Sequence, residues 1–147
     1  MEQLPDSRLG WLLLSLTHAN NVLVAVVAQA LVLGPPEVIS ILGVELPPSV
    51  PLGLAAESAR FRVAFSEVVA YRVLPENCCA PGAAGEPAGN PRLYAHSQYL
   101  ELLHASTPIE ELHGPGLMHW GLITEHFVLD VLCKARPSVS PYEGAGV

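Results

Sequence analysis

Six histidines, three cysteines and two strand carboxylates are the residues of this 147-residue chain whose types suit chemistry. His18, His96, His104, His113, His119 and His126 raise the question of a metal site. Such sites show themselves in sequence by close spacing, for example two histidines four apart on one helix with an adjacent glutamate. No pair has that spacing, and His96 and His104 are eight apart. The expectation is therefore no metal and no other cofactor. Cys78, Cys79 and Cys133 would serve Cys-His nucleophilic catalysis only in an electropositive setting that lowers the thiol pKa. Cys133 ends an apolar run, and Cys78-Cys79 lies in a loop near Glu76, so packing and an incidental loop pair are the expected roles. Glu67 and Asp130 each interrupt a strand. Two carboxylates can do acid–base work, but Arg62, Arg72 and Arg92 are available to pair with them, and ion pairing is the default. If the chain is an enzyme, the candidate pocket residues are His119, Tyr94, Tyr71 and Glu76.

The elements that must position these residues are mostly strands. Trp11 to Thr17 and Val22 to Leu33 are apolar runs flanking His18-Ala19-Asn20-Asn21. Asparagine tolerates the left-handed backbone of a tight turn, and valine packs well on a pleated surface, so a hairpin is expected. Pro35-Pro36 followed by Glu37 to Gly43 predicts a short helix opened by proline and closed by glycine. The stretch through Pro47-Pro48, Pro51 and Gly53 reads as an irregular connection.

Arg60 to Val73 alternates with period 2, broken at Glu67, and predicts one long strand with a bulge or bend near Ser66-Glu67. Asn77 to Arg92 is rich in proline, glycine and alanine and reads as a mobile surface loop. Leu93-Tyr94-Ala95 suits a short strand, and Ser97 suits the cap of a helix over Gln98 to Ser106. Met118 to Cys133 predicts a second hairpin, with Trp120 opposite Val131 and Leu122 opposite Leu129 on one apolar face. His119, Gly121, Asp130 and Leu132 share the other face. The whole predicts an α+β, antiparallel β-rich single domain over residues 1–133, a curled sheet or a sandwich, with one or two short helices. Residues 134–147 are expected to be a flexible tail.

Composition narrows the function classes. The hydrophobic share is 50%, enough for a core and too high for an acidic disordered tail. Seven basic residues against fourteen acidic ones give a net charge of −7. So few cations poorly support the cationic face that nucleic-acid binding requires. A basic protein partner suits that charge. The 28 residues from Leu9 to Pro36 carry no formal charge, long enough to raise a membrane span. The polar centre at Thr17 to Asn21 argues instead for a core segment. Ala28-Gln29-Ala30 has the form of a signal cleavage site, but Glu2 and Asp6 spoil the positive start that a signal wants. The odd cysteine count is no disulfide framework and suits a cytoplasmic protein with reduced thiols. No phosphate-binding loop, dinucleotide fingerprint or serine-nucleophile elbow occurs.

Residues 60–133 resemble a group of small bacterial proteins. The resemblance is carried by Phe61-Arg62-Val63-Ala64-Phe65-Ser66-Glu67-Val68-Val69-Ala70-Tyr71-Arg72-Val73, by Arg92 to Leu100, and by His119 to Val131. The group supplies no catalytic residues to carry over. The expected function is that of a non-enzymatic, acidic interaction or accessory protein. One concrete form is an immunity-type protein that neutralises a basic toxin. The alternative is a small hydrolase or ligand-binding domain with a His/Tyr/Glu pocket.

Overall fold

Asn20 and Asn21 both hold left-handed backbone, with φ of 51° and 60°, the geometry of a two-residue hairpin turn. In the computed structural model, which describes residues 1–78 and 89–144, they join β1 (Trp11–Ala19) to β2 (Val22–Gln29). The register pairs Ala19 with Val22 and Trp11 with Gln29, with a bulge between Leu13 and Ser15. The first uncharged stretch is thus the expected hairpin, and no helix among the described residues is long and apolar enough to cross a membrane.

β2 also pairs with β7 (Arg60–Phe65), and β7 pairs with β12 (Ser138–Pro141), giving a four-stranded antiparallel sheet in the order β1-β2-β7-β12. A second such sheet has the order β8-β11-β10-β9, from β8 (Val68–Pro75), β9 (Arg92–Leu93), β10 (Met118–Ile123) and β11 (Phe127–Cys133). Leu23, Ala25, Val27, Val63 and Phe65 of the first sheet share one buried cluster with Trp120, Leu122, Leu129 and Val131 of the second. The two sheets therefore face each other as an open sandwich. On the far side of the second sheet lie α1 (Gln98–Ser106) and α2 (Ile109–His113), where Tyr99 and Ile109 pack with Leu132.

Both hairpins and helix α1 match the sequence reading, including Trp120 opposite Val131 and Leu122 opposite Leu129. Three expectations are corrected. Arg60 to Val73 is two strands, not one. Glu67 takes φ +52°, and the chain leaves the first sheet after Phe65 and enters the second at Val68. The expected bend is there, and it is the corner of the sandwich. The predicted tail is corrected too, because Ser138–Pro141 pairs along β7 and Val139 is buried in the core. The Asn77–Arg92 loop falls largely outside the described residues.

The third correction concerns residues 37–43, which form no helix. β3 (Leu31–Val32) pairs with β6 (Leu52–Gly53), Glu37 bridges Ser49, and β4 (Ser40–Ile41) pairs with β5 (Val44–Glu45). Leu42 and Gly43, at φ 50° and 81°, turn the tip. Residues 31–54 are therefore one long hairpin arm, where an irregular connection was expected after the helix. A seven-residue helix needs tertiary contacts to persist. Here all sixteen residues from 35 to 50 are exposed, and β-branched Val38, Ile39, Ile41 and Val44 favour extended backbone.

Candidate functional site

Two regions stand apart from ordinary core and surface. The first is polar and lies between the second sheet and α1. β10 and β11 place His119 and Asp130 on the helix side, with Gly121 directly opposite Asp130. His119 Nε2 lies 2.9 Å from Asp130 Oδ1, and Arg72 Nε on β8 donates to Asp130 Oδ2 at 2.8 Å. On the other ring edge, His119 Nδ1 lies 2.7 Å from Ser97 Oγ. Ser97 caps α1, its Oγ accepting from the Leu100 N–H at 2.9 Å. Rings enclose the imidazole: Tyr94 at 4.4 Å and Tyr99 at 5.7 Å between centroids. The Arg72 guanidinium lies 4.2 Å from the centre of the Tyr99 ring, a cation–π contact.

The electrostatics of this relay fix its hydrogen-bond directions. Burial is the largest single influence on the Asp130 carboxyl and pushes its pKa up, but hydrogen bonds and charge from His119 and Arg72 together outweigh it. The net pKa is lowered, so Asp130 is a carboxylate and accepts from both partners. In the neutral imidazole, Nε2 then carries the proton to Asp130, which leaves Nδ1 to accept the Ser97 hydroxyl proton. Both ring nitrogens of His119 and both carboxylate oxygens of Asp130 have a partner, which a site this dry demands: His119 and Asp130 are 7% and 5% exposed.

Of the four pocket candidates, the structure brings His119 and Tyr94 together and leaves the other two apart. Tyr71 is exposed on the opposite side of β8, with its ring 5.3 Å from that of His18. Glu76 is exposed in the 3-10 turn Glu76–Cys78. A cleft of about 530 Å³ lies by Asn20, Asn21, Glu67, His113 and Lys134, and another of about 270 Å³ by Gln3, Trp11, Asn90 and Arg92. None of the four candidates lines either cleft. The other five histidines are exposed, and among the described residues no three metal-ligating side chains cluster. Burial pushes the Cys133 thiol up to about 12, and it donates to the Ala135 carbonyl at 3.2 Å, so it is packed and unreactive. Cys78 is exposed, and Cys79 lies outside the described residues.

Arg72 as a carboxylate partner and His119 on the same face as Asp130 are legible in the sequence, whereas Ser97 reads there only as a helix cap. The signal for the site is Gly121, a glycine inside a strand, which often marks close approach. A Cβ there would stand 2.5 Å from a Tyr94 ring carbon. Glycine at that position opens the space in which Tyr94 reaches the imidazole.

The second region is the arm. Val38, Ile39, Ile41, Leu42, Val44 and Leu46 are exposed, Leu42 fully, on both faces and at the tip. At roughly 3.3 Å per extended residue, the chain from Leu33 to the tip at Leu42 spans at most about 30 Å. Leu42 combines full exposure with a left-handed backbone that costs a branched side chain about 1–2 kcal/mol. Neither property stabilises the isolated fold. The charged residues between Arg8 and Arg60 are Glu37, Glu45 and Glu57 alone, all acidic. Comparison of the chain with protein-family models, curated proteins and solved structures finds no match.

Proposed function

We propose that this protein is an acidic interaction or accessory factor that docks a basic protein partner through its arm, immunity-type neutralisation of a basic toxin being one form of that role. The observation that carries the reading is the run of sixteen exposed residues, 35–50, rich in aliphatic side chains. Exposed apolar patches beyond a few hundred Å² mark binding sites. The exposed aliphatic side chains of residues 31–54 offer on the order of 1,000 Å², comparable with one side of a standard interface. The arm's own charges are Glu37 and Glu45, and the chain carries −7 overall. That charge disfavours pairing with a second copy or with anionic lipid and favours a partner rich in Lys and Arg.

Cross-linking in the native cell, followed by identification of what wild type captures and Leu42→Asp does not, tests the reading. The expected result is one basic protein whose capture falls with rising salt and is reduced at least tenfold in the variant. A partner held equally by Leu42→Asp would overturn it. So would self-association of the purified chain through the arm, or arm-dependent binding to lipid vesicles.

A further inference from the structure

Capping α1 requires of Ser97 only that its oxygen accept the Leu100 N–H, which it does at 2.9 Å. Nothing in that role requires its hydroxyl proton to point at a buried imidazole backed by a carboxylate. Yet Ser97 Oγ, His119 Nδ1, His119 Nε2 and Asp130 Oδ1 form one line with contacts of 2.7 and 2.9 Å. The three residues come from α1's cap, β10 and β11, and they stand in the order nucleophile, base and orienting carboxylate. The ring nitrogens are used in the opposite sense to the serine-protease arrangement, with Nδ1 toward serine. Either nitrogen can take the proton, provided the other is held by a carboxylate.

We propose that Ser97 is a base-activated nucleophile that takes an acyl group from activated carboxylic esters, with His119 as general base and Asp130 as its positioning residue. As Ser97 Oγ bonds to the acyl carbon, its proton passes to His119 Nδ1 and the carbonyl π pair moves onto the carbonyl oxygen. When that pair returns, the bond to the leaving group breaks, and the imidazolium gives its proton to the departing alcohol or phenol. Water then attacks the acyl-serine with the same proton movements, releasing the carboxylic acid and restoring the hydroxyl. His119 is sealed from water while Ser97 is partly exposed, so the base is dry and the residue carrying the nucleophile borders solvent. The Leu100 N–H steadies negative charge on Ser97 Oγ as the proton leaves. The cation of the cluster, Arg72, is committed to Asp130, so the reaction suits esters whose leaving group departs readily.

The test is covalent labelling of the full-length protein with a fluorophosphonate, with p-nitrophenyl acetate turnover measured in parallel. One adduct per chain, mapped by peptide mass to Ser97, is expected. Ser97→Asn keeps a capping side chain and should unfold near the wild-type midpoint while giving no adduct. Asp130→Asn should slow labelling at least tenfold with far-ultraviolet circular dichroism unchanged. Absence of an adduct on Ser97 in folded wild type overturns the inference. So does an adduct elsewhere that Ser97→Asn retains, or labelling of Asp130→Asn at the wild-type rate.

Discussion

Around His119, polar side chains are packed out of water, while along residues 31–54 aliphatic side chains stand in it. Both arrangements are costly in principle, but they differ in what compensates them. In the relay, Arg72, Asp130, His119 and Ser97 satisfy one another within the chain. Its benefit is realised at home, as a fixed geometry between sheet and helix. The arm has β3 against β6 and β4 against β5, with an outer half that is wholly exposed. On the proposed reading, its compensation is a partner. A buried polar group and an exposed apolar one are each informative, and they direct attention inward and outward respectively.

The sharpest way to break that contrast is to remove a partner from the relay. Asp130→Ala leaves His119 Nε2 without its acceptor and Arg72 without its carboxylate, and should cost about 3 kcal/mol in urea unfolding. The loss of two or three aliphatic side chains from the arm tip should move the same midpoint hardly at all. Leu42→Asp is expected to stay within about 0.5 kcal/mol of wild-type stability, yet to weaken partner binding by about 2 kcal/mol or more in titration calorimetry. If Leu42→Asp unfolds the protein, the arm is packed at home after all.

A smaller effect probes the wall of the relay. Gly121→Ala pushes a methyl into the Tyr94 ring and should cost about 1–3 kcal/mol. The imidazole proton resonances of His119 should shift in the variant as the ring-current field of Tyr94 moves away. The pH dependence of stability is a further test. The folded pKa of Asp130 is depressed below the ordinary 3.8, so in acid the unfolded state binds more protons than the folded one. The Asp130 contribution is complete above the unfolded pKa and is lost as pH falls through the folded value. Asp130→Asn should flatten that acid limb in urea melts at pH 2–5, an estimated window bounded by the ordinary carboxylate range. The smallest effect belongs to the first hairpin. Asn21 sits at φ 60°, where glycine is freer, so Asn21→Gly should raise stability by a few tenths of a kcal/mol, roughly.

The same contrast explains what could be read from the residues alone. Both sandwich hairpins were legible because their information is local: Asn20-Asn21 for one turn, and the Trp120–Val131 and Leu122–Leu129 pairs for the other. The cap at Ser97 was legible for the same reason. The relay was only half legible. His119 and Asp130 share a strand face by period 2, but Ser97 is 22 residues from His119 in sequence, and only the packing of α1 on the sheet joins them. The arm was misread because Pro35-Pro36 and Gly43 resemble helix punctuation, while nothing local reveals that no apolar surface lies beneath Val38 and Ile41. The corner at Glu67 was read as a bend without its consequence, since a change of sheet depends on which strands β7 and β8 later find. The tail reads as flexible because β12 forms only by distant pairing, along the edge of β7 and with Met1.

Native-state hydrogen exchange on the purified chain tests most directly the claim that the arm has no partner at home. The amides of Leu33, Glu37, Leu46 and Ser49, each bonded only across the arm, should exchange orders of magnitude faster than those of β2, β10 and β11. Protection of these arm amides equal to that of the central strands would contradict the account.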